Sequence, residues 1–351
     1  MNTKRTSNLL RSIAFFLTGV ILVCTFGFTV DGWLVGDEDT PIQDSPAEDM
    51  PTANEPTEEI TPEIPEEEPT VIYYNPITGL ETTEEFSNKA PLAYVMEKNS
   101  PLFGLSGADV IIDIPTEGES RLITIRTDNR NLWKIGAIAP GRGYISSLAG
   151  FFGASLVSLG NDDIIEYDSC VPLSMIDISG ISYKEYNSYT YTNSDLLKGS
   201  ITEREFTATL PYIHAEIGEN NMFEASASKV TFETTELFYD EETGRYIWFE
   251  NGEVQRDLIN GKTLSFTNCL ILFADSVTYD NQSGTQMVMS TIGSGSGYYL
   301  TSGTYTKINY TSSQSGNMTF YSETGEQLTI NRGEIYIRYL KSSMKNQITI
   351  Y

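Results

Sequence analysis

Histidine, cysteine and clustered positive charge are what this chain has least of: one His and three Cys in 351 residues, and 22 Lys and Arg against 48 Asp and Glu. So few imidazoles and thiols leave no adequate donor set for a zinc site. A Ser-His-Asp triad would have to use His214, and no Gly-x-Ser-x-Gly elbow accompanies it. Among the apolar neighbours of Leu210-Pro-Tyr-Ile-His-Ala215, that imidazole is expected to be structural. Cys24 lies in an apolar N-terminal segment, which leaves Cys170 and Cys269. They allow one bridge at most, and two buried free thiols are expected instead. No basic cluster exists to displace counterions from a phosphate backbone, so nucleic acid is excluded as a partner. Gly293-Ser-Gly-Ser-Gly297 lacks the Gly-x-Gly-x-x-Gly spacing of a nucleotide cradle and reads as a turn between strands. No catalytic residue, metal or cofactor is assigned.

What the chain does have begins with an uncharged run, residues 12–30, preceded by Lys4, Arg5 and Arg11. As a helix it would measure roughly 28 Å, close to the hydrocarbon core of a bilayer. Its one-sided cations place residues 1–11 in the cytoplasm, make residues 12–33 a transmembrane anchor or signal segment, and put the rest outside the membrane. A cleaved signal peptide remains open, although no Ala-x-Ala site follows. Lipidation at Cys24 also remains open, although Val23 is bulky and Thr25–Val30 continue the apolar run. Charge is then concentrated: residues 1–30 carry +3, residues 31–70 carry −14 and residues 71–351 carry −15. Residues 34–70, acidic and rich in proline, cannot bury enough apolar surface to fold and read as an extended, disordered stalk.

The remainder is long enough for two domains. Short apolar or β-branched runs at Pro91–Met96, Asp109–Ile114, Arg121–Thr127, Ile135–Ile138 and Ala154–Leu159 read as strands, with a helix over Tyr144–Phe152. Residues 71–225 are therefore expected to form a mixed α/β domain. From Lys229 the texture becomes strands and tight turns, with Thr243-Gly244 and Asn251-Gly252 flanking Arg245–Glu250. Asn268–Ala274, Gln286–Ile292, Thr304–Tyr310, Asn317–Tyr321 and Glu334–Leu340 extend the series. Residues 226–351 are expected to form an antiparallel β domain, making the fold class α+β.

Several blocks occur in a recognisable order: Asn75-Pro-Ile-Thr-Gly-Leu80, Met96-Glu-Lys-Asn-Ser-Pro101, Gly104-Leu-Ser-Gly-Ala-Asp109 and Glu117-Gly-Glu-Ser-Arg121. Tyr239-Asp-Glu-Glu-Thr-Gly-Arg-Tyr246, Ile292-Gly-Ser-Gly295, Phe320-Tyr-Ser-Glu-Thr-Gly-Glu326 and Leu328–Gly333 follow. Over roughly residues 75–340 the chain resembles the YerB-like family of bacterial surface lipoproteins, two-domain proteins of unknown function. The resemblance implies an extracytoplasmic protein without an established reaction. Where that family has a paired-arginine block, this chain reads Ile135-Gly-Ala-Ile-Ala-Pro-Gly-Arg142, with Ala139 at the first arginine position. Where the family has a Pro-His-Asn stretch, Tyr183–Asp195 contains no histidine. These departures mark a divergent member.

The best remaining constellation is Asp109, Asp113, Glu117, Arg121 and Arg142, carboxylates ending one strand and arginines opening the next and following Ile138. They could converge at a sheet edge, where ligands commonly bind. With Asn99 they are the candidate binding residues, for an envelope ligand or a membrane or surface protein. An ordinary Glu117–Arg121 ion pair is the structural alternative. A hydrolase of envelope glycan or peptide using Glu117 and Asp113 is the enzymatic one. A tyrosine-rich surface at Tyr183, Tyr186, Tyr189 and Tyr191 is a third candidate, for a protein partner.

Overall fold

The computed structural model describes residues 70–160, 172–186, 188–281 and 284–351. Segments 1–11 and 12–33, the stalk up to residue 69, Cys24 and Cys170 lie outside the described residues. Among the described residues no helix is long and apolar enough to cross a membrane.

The described chain is mostly β-strand. The central sheet strands are β1 (Leu92–Glu97), β2 (Val110–Pro115), β3 (Ser120–Arg126), β4 (Ile135–Ile138), β5 (Ser155–Ser158) and β6 (Tyr189–Thr192). A helix, α1 (Gly143–Phe151), lies between β4 and β5. A smaller sheet follows, built on β7 (Lys229–Phe232), β8 (Thr235–Asp240) and β9 (Arg245–Glu250). The chain then returns to the large sheet with β10 (Asn268–Ala274), β11 (Gly293–Thr301), β12 (Thr304–Ser312), β13 (Met318–Ser322) and β14 (Ile335–Lys341). Among the described residues the large sheet has 14 strands, and its main path runs β12-β11-β10-β14-β2-β3-β1-β4-β6 between short edge strands.

The seam between the two halves of the chain is the parallel pairing of β14 with β2, in which Ile335 opposes Val110 and Arg338 opposes Asp113. One sheet therefore continues across the 225/226 division. The α layer expected over 71–225 amounts to α1 plus single turns at Glu84–Ser87 and Ser194–Leu197.

Both faces of the sheet are covered, which explains why β10 is apolar from Cys269 to Ala274 and β2 is apolar on either side of Asp113. Alternate residues feed two cores. Ala93, Val95, Ile112, Ile123, Ile125 and Ile337 pack on the α1 side with Ile145, Leu148 and Phe151. Tyr94, Met96, Ile111, Leu122 and Tyr336 pack on the other side against Phe232, Trp248 and Phe266 of the smaller sheet. The hairpin turns follow the expected chemistry: Gly244 has φ +68°, and Asn251 and Gly252 both have positive φ between β9 and the strand opening at Glu253.

Gly293-Ser-Gly-Ser-Gly297 is not a turn. It forms the first half of β11, paired with β10 and β12. A Cβ at Gly295 would sit 2.4 Å from the Tyr310 ring, and one at Gly297 would sit 2.2 Å from the Ile271 carbonyl oxygen. Gly295 and Gly297 are there because neighbouring atoms occupy the space of a side chain, whereas Gly293 has open space and a positive φ of 123°.

Candidate functional site

Asp113 is fully buried in the middle of β2, on the face turned toward the smaller sheet. It accepts from Arg338 and, at 3.0 Å, from the Tyr336 hydroxyl, and its carboxylate lies 2.8 Å from Lys98 Nζ. Lys98 also meets Glu250 at 2.7 Å and lies over Trp248, while Arg338 reaches Glu233 and Ser120 Oγ. Burial alone would raise the Asp113 pKa, but Arg338 and Lys98 overcome it and hold the carboxyl below its ordinary value. Lys98, Glu250 and Arg338 were missed from the sequence. Arg338 did leave a signal, as a charge inside the apolar strand Ile335–Lys341, which must find an opposite charge once both faces are covered.

Asp109 lies near the other end of β2, four residues or roughly 13 Å away. Its carboxylate accepts from Asn75 Nδ2 at 2.9 Å and from the backbone N–H and Oγ1 of Thr127 at 2.6 and 2.7 Å. Asn75 in turn accepts from the N–H groups of Ile77 and Thr78, so the Asn75–Leu80 block is a turn clasped onto β2. The Gly104–Asp109 block is held likewise. Asp257, fully buried and also missed, accepts from the N–H groups of Gly104 and Ser106 and from Ser106 Oγ. His214 packs beside Gly79, its Nε2 donating to the Pro76 carbonyl at 3.1 Å. Burial holds its pKa below the ordinary value.

Asn99, Glu117, Arg121 and Arg142 come to one end of the sheet. Arg121 opposes Glu97 across β3 and β1, and Asn99 follows directly in the exposed loop after β1. Arg142, the N-cap residue of α1, reaches Glu117 in the β2–β3 hairpin, the two side chains being 22% and 27% exposed. Tyr144 Oη donates to the Pro115 carbonyl at 3.3 Å and ties α1 to that hairpin. Glu117 thus pairs with Arg142 and not with Arg121, whose half-buried side chain makes no hydrogen bond or ion pair among the described residues. Asp113 does not join this group. It occupies the opposite face of the sheet with no solvent access, so the Glu117/Asp113 hydrolytic pair has no shared space for a substrate.

Two of the four tyrosines, with Phe103, surround a lysine. Lys134 Nζ lies 4.4 Å from the Phe103 ring centre, 4.5 Å from Tyr186 and 4.7 Å from Tyr191, and pairs with Glu185. Tyr183 stacks at a tilt on Tyr191, while Tyr189 donates to the Asn99 carbonyl at 3.4 Å. Tyr186 and Trp133 keep more than half of their surface exposed. Cys269 is a buried free thiol whose pKa burial pushes far above the ordinary range. Among the described residues no group of His, Cys, Asp and Glu could hold a metal.

Comparison with known proteins places this architecture. Residues 223–337 match the family described as "Protein of unknown function (DUF3048) C-terminal domain". The chain is 23% identical to "Putative lipoprotein YerB" of Bacillus subtilis (strain 168), over 57% of this chain and 66% of that protein's length. The crystal structure of YerB from Bacillus subtilis superimposes with a TM-score of 0.63 at 18% identity, covering 79% of this chain and 99% of that one. The resemblance carried by the sequence blocks therefore holds, and the chain is a divergent homologue of YerB.

Proposed function

We propose that this divergent homologue of YerB is a membrane-anchored, extracytoplasmic protein of the cell envelope that acts by binding and not by turnover. The observation that carries this reading is the end of the sheet where Arg121, the Glu117–Arg142 pair and Asn99 gather beside an exposed loop. One cation there has its ionic capacity unspent, and the other is shared with a single carboxylate on the surface. Such groups can take up a polar envelope ligand or the acidic side chains of a protein partner. Asp113, by contrast, is held ionised and out of solvent, so it cannot supply the proton that a hydrolytic mechanism needs. Attachment to the membrane is assigned to residues 12–33, as a single-pass segment or through a lipid on Cys24. The relative's name as a lipoprotein supports the second form. Cys24→Ser releases the protein from membranes if the lipid holds it and leaves it there if the helix does.

The test of binding is photo-crosslinking in cells from a reactive amino acid placed at position 99, with identification of what is captured. One defined envelope component is expected, and its capture is lost in the Arg121→Ala/Arg142→Ala variant while thermal unfolding of that variant changes little. An unfolded double variant makes the arginines structural. Undiminished capture by a folded one removes them from the contact.

A further inference from the structure

A second site lies at the other end of β1. A cavity of about 450 Å³ opens between the start of β1, the loop after β3 and the segment around residues 194–204. That volume falls in the range of small-molecule sites. Its lining reverses the charge of the protein: four cations, Lys89, Arg130, Lys198 and Arg204, face two carboxylates, Asp195 and Glu203. Residues 71–351 as a whole carry 34 acidic and 19 basic side chains. Glu85 and Asp128, just outside the lining, pair with Lys89 and Arg130, so any positive potential in the cleft comes from Lys198 and Arg204.

The partners of these cations decide what is left over. Lys89 Nζ is 2.9 Å from Glu203 and 3.6 Å from Glu85. Arg130 is taken up by Asp128 and Glu85, with its guanidinium 4.2 Å over the Phe86 ring. Lys198 and Arg204 have no side-chain hydrogen bond or ion pair among the described residues, yet both are fixed through the backbone. The Lys198 N–H donates to the Ser194 carbonyl at 3.0 Å, and the Arg204 carbonyl accepts from the Ala90 N–H at 2.8 Å. Two cations without an ion-pair partner among the described residues thus stand on a fixed main chain at one mouth, beside the single carboxylate of Asp195. Leu92, nearly wholly buried, and Ile201 line it with apolar surface, the mixture typical of a site for a compact ligand.

We propose that this cleft binds a small organic anion bearing phosphate or carboxylate groups, with Lys198 and Arg204 as the contacting cations. The site is independent of the one at Arg121 and Arg142. Leu92 opens β1 and Glu97 ends it, which separates the two places by roughly 17 Å. The ligand reaches the cleft either as a free solute or as the headgroup of an anionic lipid.

The test is isothermal titration of the full chain in neutral detergent with citrate, with glycerol phosphate and with dihexanoyl phosphatidylglycerol. Saturable one-to-one binding of at least one probe is expected. The soluble probes and the short-chain lipid separate the two sources. Lys198→Glu/Arg204→Glu weakens binding by about tenfold or more, Lys198→Gln/Arg204→Gln weakens it less, and Arg121→Ala/Arg142→Ala leaves it unchanged. Both lysine and arginine positions are exposed, so these variants keep the wild-type melting temperature. Absence of saturable binding by all three probes, or binding that survives the charge reversal in a folded protein, overturns the proposal.

Discussion

Replacing Asp113 by Asn removes one buried charge and almost no volume, which isolates electrostatics from packing. In the wild-type protein the carboxylate, with none of its surface exposed, sits between Arg338 and Lys98, whose side chains are 3% and 7% exposed. Breaking a buried pair by deleting one partner typically costs about 3–5 kcal/mol, because the other charge stays desolvated. Here Lys98 keeps Glu250 and Arg338 keeps Glu233, so the lower end, about 3 kcal/mol, is expected. Urea denaturation at pH 7 measures it as a shift in midpoint at constant slope. The pH dependence gives a second check. The folded-state pKa of Asp113 lies below its unfolded value, so its stabilisation is fully present above the unfolded pKa of about 3.9 and is lost as pH falls through the folded value. The deficit of the Asn variant should therefore be constant between about pH 5 and 8 and shrink only in acid. A loss under about 1 kcal/mol, or a deficit that changes near neutrality, refutes an ionised, paired Asp113.

Two further outcomes follow from the packing. His214 is the only histidine, and its pKa is depressed by burial, so the unfolded chain takes up a proton first as pH falls through about 6.5. Wild-type stability should fall with acidification from that point, and urea midpoints for His214→Gln should be flatter over about pH 5–7, where few other groups titrate. Gly297→Ala drives a Cβ to 2.2 Å from a backbone carbonyl in the neighbouring strand, which cannot move aside without breaking the β10–β11 ladder. A loss of about 1–3 kcal/mol or more is expected by denaturation, against little change for Gly180→Ala, where nothing lies within 4 Å.

Much of the chain's local structure was legible because its causes are local. β2, β3, β4 and α1 fall within two residues of their expected positions, since apolar runs bounded by Gly, Pro or Asn report burial and chain reversal over a few residues. The Thr243-Gly244 and Asn251-Gly252 turns were equally readable from the positive φ they require. Gly293–Gly297 was misread because glycine signals a turn and a crowded strand alike, and only the Tyr310 ring and the Ile271 carbonyl distinguish them. The blocks that carry the family resemblance turned out largely to be fold-building. Asn75, Asp109 and the Gly104–Ser106 loop spend their polar groups on one another and on Asp257.

By itself the sequence determined where strands and turns lie, how charge is distributed along the chain and which family the order of blocks resembles. Tertiary structure alone decided which charges meet. Arg338 finds Asp113 from 225 residues away because β14 runs parallel to β2, and Asp257 finds Gly104 from 153 residues away. Glu117, four residues beyond Asp113, takes Arg142 on the surface instead. Backbone propensity and side-chain alternation act within one element and are written in its own residues. The partner of a buried charge depends on strand order and facing, which no local segment encodes.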